Sequence, residues 1–141
     1  MKAHFREIIA GLLMGETEGK APGITAVYLF GSCATGESTG SSDVDLAFLF
    51  EEKFYRTDPL EAFSDATLIA AKLSSELNKK TDVVVLNSAS LELAYEVIST
   101  GTCIYEADPD LRVTYEAKTI GLWFDFKPFI EQLRKEALAG L

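Results

Sequence analysis

Hydrophobic residues first recur at a helical interval. Phe5, Ile8, Ile9, Leu12 and Leu13 are spaced three and four apart, which predicts a helix over residues 3–16. The stretch KAPG ends it. ITAVYLF, residues 24–30, is β-branched and aromatic and predicts a central strand. GSCATGESTGSS is a loop by composition, and DVDLAFLF, residues 43–50, predicts a second strand. RTDP punctuates the chain and offers an N-cap before Pro59. Phe63, Ala66, Ala70, Leu73 and Leu77 then mark one face of a helix over 59–79. DVVVL, residues 82–86, reads as a short and fully buried third strand, and Ser90 caps a helix that Gly101 ends near residue 100. TCIYE predicts a fourth, edge strand. From Pro109 the pattern is helical to the end, with a break expected at Pro128.

This order of elements indicates an α/β or α+β chain. A loop between the first two strands lets them pair antiparallel, whereas a crossover helix suits a parallel pairing. The expected architecture is a small mixed β-sheet covered by helices, one domain over residues 1–141 with a helical C-terminal segment from about 109 to 141.

Composition narrows the classes. The chain has 141 residues, 48% of them hydrophobic, enough for one core and too apolar for disorder. No apolar run reaches eighteen residues, so no membrane helix is expected. The basic start and apolar centre of MKAHFREIIAGLLMGETEGK lack a small-residue cleavage site, so it reads as an amphipathic helix rather than a signal peptide. Cys33 and Cys103 form no CxxC, which predicts neither a zinc site nor a disulfide framework and suits a reducing cytoplasm. The net charge of −9 disfavours long nucleic acid, because binding phosphate chains needs Lys and Arg. A single nucleotide can instead be carried by metal ions that acids hold.

Acids in a suitable pattern are present. Residues i and i+2 of a strand project to one face, so Asp43 and Asp45 point together while Val44, Leu46, Phe48 and Phe50 face a helix layer. Two carboxylates this close repel, and no Lys or Arg lies between Glu37 and Glu52 to separate them. A divalent cation with oxygen ligands resolves the repulsion, and Mg²⁺ is commonly held by one or two carboxylates plus substrate phosphates. Asp82 opens the third strand. If that strand neighbours the second, Asp82 reaches the same spot, and three carboxylates can hold two metal ions for in-line phosphoryl transfer. Asp43 and Asp45 would bridge the ions, and Asp82 would ligate the one beside the attacking oxygen and could receive its proton. Gly31 permits a tight turn or a close backbone approach. Its amide, with the backbone and hydroxyl of Ser32, could bind phosphate. Ser42, directly before the aspartate pair, joins them as a nucleotide-binding candidate. Gly36 and Gly40 keep the loop compact or mobile.

GSCATGESTGSSDVDL resembles the GS-x10-DxD signature of the DNA polymerase β-like nucleotidyltransferase superfamily. More narrowly, the chain resembles the minimal nucleotidyltransferase (MNT) antitoxins of HEPN–MNT toxin–antitoxin pairs. TDVVVLNSASLELAYEVISTGTCIYEADPD resembles the stretch after the family's third acid, and WFDFKPFIEQL its C-terminal segment. The resemblance implies a mixed sheet, Mg²⁺ dependence and a nucleoside triphosphate donor. It also implies a catalytic triad at Asp43, Asp45 and Asp82, with phosphate binding at Gly31 and Ser32. For the MNT group it further implies AMP transfer from ATP to a tyrosine hydroxyl of a HEPN toxin, a ribonuclease, which silences it. Relatives often read GSRARG in the loop. Cys33 and Thr35 stand here instead, and arginine is the better bidentate phosphate partner. Other cations that could serve are Lys53, Arg56, Lys79 and Lys80.

Only 59 residues follow Asp82 (141 minus 82), little for a separate acceptor-binding domain. The acceptor is then expected on another chain. Leu122, Trp123, Phe124, Phe126, Phe129, Ile130, Leu133 and Leu138 make the C-terminal segment rich in large apolar groups. Packing on the chain's own core is the expectation for most of them, and any left at the surface would suit a partner protein or a homodimer. His4, the only histidine, and the tyrosines are read as structural. Two rival functions stay open: a non-catalytic antitoxin acting by occlusion, and an aminoglycoside-type nucleotidyltransferase acting on a small molecule.

Overall fold

The computed structural model describes residues 2–15, 23–31 and 43–140. Helix α1 spans Lys2–Gly15, strand β1 Ile24–Phe30, and strand β2 Val44–Phe50. Helices α2 (Glu52–Thr57) and α3 (Pro59–Leu77) lead to strand β3 (Thr81–Val85). A 3-10 turn at Leu86–Ser88, helix α4 (Leu91–Thr100), strand β4 (Thr102–Glu106) and helix α5 (Pro109–Ala139) complete the described chain. The four strands lie in the order β3-β2-β1-β4. Strand β1 is antiparallel to both β2 and β4, and β2 is parallel to β3, as the loop and the crossover helix predicted.

Each face of the sheet has its own apolar layer. Val27, Leu29, Val44, Leu46, Phe48 and Phe50 pack against Ile9 and Leu13 of α1 and against Ala62, Ala66, Ile69, Ala70 and Leu73 of α3. The opposite face sets Ala26, Tyr28, Ala47 and Leu49 against Ala94 and Val97 of α4. Period-two alternation on β1 and β2 therefore feeds two layers, and both strands are buried almost throughout. Capping follows the sequence. The Asp58 side chain accepts from the Glu61 N–H, with Pro59 in the first turn of α3, and Ser90 Oγ accepts from the Leu93 N–H.

Four expectations need correction. Strand β3, expected to be fully buried, lies at the edge of the sheet, and only Val85 of its five residues is buried, because among the described residues no further strand flanks its outer side. Phe63 is exposed, because the buried stripe of α3 runs through Ala62, Ala66, Ile69, Ala70 and Leu73 and leaves Phe63 on its flank. Pro128 does not break α5, which is continuous over 31 residues. The carbonyl of Phe124, which a residue-128 N–H would have served, belongs to an exposed turn that water can reach. Finally, most apolar side chains of the C-terminal segment do not join the core. Trp123 is buried, stacked on Tyr95, whereas Leu122, Phe124, Phe126, Phe129, Leu133 and Leu138 are exposed.

A polar chain pins the start of α5 to the sheet. The Tyr28 hydroxyl donates to Glu116 Oε1 at 3.1 Å, Arg112 donates to Glu116 Oε2 at 2.8 Å, and Arg112 Nε also donates to Glu106. Burial, and then the Glu116 carboxylate, push the Tyr28 hydroxyl above its ordinary titration range. Tyr28 thus keeps its proton and acts as a donor inside the core.

Candidate active site

Strand register decides which acids meet. Asp45 and Asp82 are direct partners in the parallel β2–β3 pair, so both carboxylates stand on one face of the sheet. Asp43 precedes Asp45 by two residues and shares that face. The structure thereby brings Asp43, Asp45 and Asp82 to one end of two adjacent strands. Asp43 and Asp82 are exposed and Asp45 is half-buried. The Asp45 carboxyl titrates above its ordinary value, first because burial removes solvent and then because the Asp82 and Asp43 carboxylates repel its charge.

Gly31 completes the near wall. Its φ of 74° lies in the left-handed region, and a Cβ built there would overlap Asp45 Oδ2. Both demands select glycine: the chain turns sharply after β1, and the Asp45 carboxylate lies against the backbone. Ser32, Cys33, Thr35, Gly36, Gly40 and Ser42 lie outside the described residues.

The four candidate cations separate by position. Lys53 and Arg56 follow the far end of β2, about 17 Å from Asp45 along a strand rising about 3.3 Å per residue, and Arg56 is paired with Glu52 at 2.8 Å. Neither replaces the loop arginines. Lys79 and Lys80 instead enter β3 at the acid end. The Lys80 carbonyl accepts from the Val44 N–H at 2.8 Å, and one further step of the register sets Lys80 opposite Asp43. Composition named all four alike, and only the pairing of β2 with β3 ranks them.

Among the described residues, no three His, Cys, Asp or Glu side chains are gathered into a metal cage. The donor set nevertheless suits a hard divalent cation that arrives with a polyphosphate. Mg²⁺ keeps several waters and takes one or two protein carboxylates plus phosphate oxygens, so a preformed cage is not required. Carboxylates crowded at one place are also those that a cation stabilises most.

A mixed sheet with acids at the mouths of two neighbouring strands and a glycine turn beside them defines a nucleotidyltransferase. Residues 16–110 match the family described as polymerase beta, nucleotidyltransferase, and the chain belongs to that family. It is 34% identical over 114 residues to the protein adenylyltransferase MntA of Aphanizomenon flos-aquae, covering 77% of this chain and 71% of that protein. Among solved structures, the toxin–antitoxin MntA–HepT superposes with a TM-score of 0.65 at 25% identity, covering 94% of this chain and 96% of that one. A tri-AMPylated Shewanella oneidensis HEPN toxin in complex with MNT antitoxin gives a TM-score of 0.66 at 22% identity, covering 98% of this chain and 99% of that one.

Proposed function

We propose that this chain transfers AMP from ATP to a tyrosine hydroxyl of a cognate HEPN-type toxin and so neutralises it, in the cytoplasm. The observation that carries the reading is the register of Asp45 with Asp82, two residues beyond Asp43. The adenylyltransferase name of the relative and the AMPylated toxin beside the antitoxin fold support the acceptor.

Asp43, Asp45 and Asp82 would hold Mg²⁺, which when bound offsets the charge of the phosphates and of the pentacovalent transition state. The residues of the chain do the rest. Gly31, with Ser32 and Ser42 named from sequence, would bind the phosphates, and Lys80 would supply positive charge in a chain whose Cys33 and Thr35 stand for the family's usual arginines. Asp82 would take the phenolic proton as the tyrosine oxygen bonds to the α-phosphorus. The bond from that phosphorus to the bridging oxygen breaks, and pyrophosphate leaves with its electron pair. Positioning and electrostatics supply most of the rate.

Labelled ATP, Mg²⁺ and purified toxin test the reading. Asp45→Asn should reduce transfer by about 10³-fold or more while circular dichroism stays unchanged. Wild-type-like transfer by that variant would sink the mechanism. The exposed apolar length of α5 favours a second reading, neutralisation by binding alone. Toxin that stays silenced by an Asp43→Ala, Asp45→Ala double variant would select it.

A further inference from the structure

Helix α5 carries one apolar seam along its whole length, but the body covers only the first half. Tyr115, Thr119, Leu122, Phe126, Phe129 and Leu133 are spaced four, three, four, three and four residues apart, the spacing that keeps side chains on a single helical face. Tyr115 packs against the layer of Tyr28 and Val97, and Thr119 is 5% exposed. Exposure then climbs along the same face, to 36% at Leu122, 51% at Phe126, 69% at Phe129 and 57% at Leu133. From Phe124 to Gly140 no described residue is buried. Pro128 lies on the far side of the helix from this seam, at about 100° per residue, so its ring leaves the face clear. Where the seam leaves the body it borders a groove of about 610 Å³, whose walls include Leu111 and Leu122 of α5 and Leu86 and Ala94 opposite.

We propose that the distal seam of α5, centred on Phe126, Phe129 and Leu133, is the seat for an amphipathic helix of the toxin partner. This rests on the reading above that such a toxin is the acceptor. Heptad spacing specifies a helical occupant, because knobs at four-three intervals fit the holes of another helix crossing at about 20°. Two observations select the toxin over a second copy. The distal half carries Lys127, Arg134 and Lys135 against Asp125, Glu131 and Glu136, so it is neutral within a chain of net charge −9. Two such chains repel wherever their bodies approach, while the neutral seam admits a partner that lacks this excess of acid. The MntA–HepT match also leaves only about 6% of this chain unmatched, roughly eight of 141 residues. The 17 residues from Phe124 to Gly140 therefore belong in large part to the fold shared with an antitoxin solved together with its toxin.

A Phe126→Glu, Phe129→Glu double variant tests the seat. Both side chains face solvent, so the fold tolerates the change, and a Phe129→Gln, Leu133→Gln variant repeats the test without added charge. Affinity for the purified HEPN-type toxin of the same genome is measured by calorimetry, and nucleotide affinity is measured separately with Mg²⁺ and ATP. The expected result is toxin binding weakened by about 100-fold or more, as for hot-spot aromatics, with nucleotide affinity unchanged. Wild-type toxin affinity in both variants overturns the proposal, and if light scattering shows that the same variants convert a dimer to a monomer, the seam belongs to a second copy. Toxin binding is read directly, without turnover. A chain that binds toxin through the seam yet transfers no AMP therefore refutes the catalytic reading and leaves the seat standing.

Discussion

The two ends of β2 solve opposite problems. At the Phe50 end, Asn87 Oδ1 accepts from the Phe50 N–H and Asn87 Nδ2 donates to the Phe50 carbonyl, each at 2.9 Å. Nδ2 also reaches Glu52 Oε2 at 3.3 Å, and Glu52 holds Arg56. Those polar groups satisfy one another within the chain. At the other end Asp45 faces Asp82 and follows Asp43, and burial, then these like charges, raise its pKa. One end is closed upon itself and serves stability. The other gathers like charges that a cation of opposite sign stabilises, and perturbed carboxyls of this kind concentrate where proteins bind and react.

Substitutions at the two ends should separate these roles. After the loss already expected of Asp45→Asn, the largest effect is expected at Gly31. Gly31→Ala forces a side chain into the left-handed region and onto the Asp45 carboxylate, so transfer should fall by about 100-fold or more, with a stability loss of about 1–3 kcal/mol. Kinetics alongside urea denaturation measure both. Asn87→Ala should cost about 1–3 kcal/mol by leaving the Phe50 backbone groups unpaired, yet leave kcat and KM near wild type. A large activity loss without a stability loss would erase the distinction between the ends. Lys80→Ala should raise the KM for ATP by about tenfold with little change in kcat, whereas Arg56→Ala at the closed end should leave KM unchanged. Equal effects from the two would remove Lys80 from the phosphate site.

The smallest effect is in thermal stability without ligand, and its sign follows from the direction of the Asp45 shift. A carboxyl whose folded pKa exceeds its ordinary value of 3.8 is easier to ionise in the unfolded chain. Its charge therefore lowers stability as pH rises from 3.8 through the raised folded value. Asp45→Asn should accordingly melt above wild type at pH 7, and the gap should close below pH 3.8. A variant that melts lower at pH 7 would show that the repulsion is not felt. Added Mg²⁺ should stabilise wild type more than the variant.

Much of this contrast was legible before any coordinates. β-Branched and aromatic runs located all four strands, and period two placed Asp43 and Asp45 together. Asp82 could be named, but its meeting with Asp45 depended on which strands pair, a tertiary choice that local pattern does not carry. Lys53, Arg56, Lys79 and Lys80 looked alike for the same reason. In the Tyr28–Glu116–Arg112–Glu106 chain only the Arg112–Glu116 spacing of four is a local signal, and nothing local ties it to Tyr28, 88 residues from Glu116. Phe126, Phe129 and Leu133 misled because hydrophobicity reports a wish for contact and not which molecule supplies it. Their four-three spacing continues that of Tyr115 and Thr119, so the sequence showed the seam but not the point at which the body stops covering it.

The parallel junction of β2 with β3 has a further consequence, in time. The segment from Glu51 to Lys80 must be looped out before Asp45 can find Asp82, and β4 must return across a still longer span to flank β1. Contacts between distant stretches form slowly and late. During synthesis the ribosome would release the first two aspartates well before the third. No half-made chain would then bring all three together, and competence would begin only when the crossover closes.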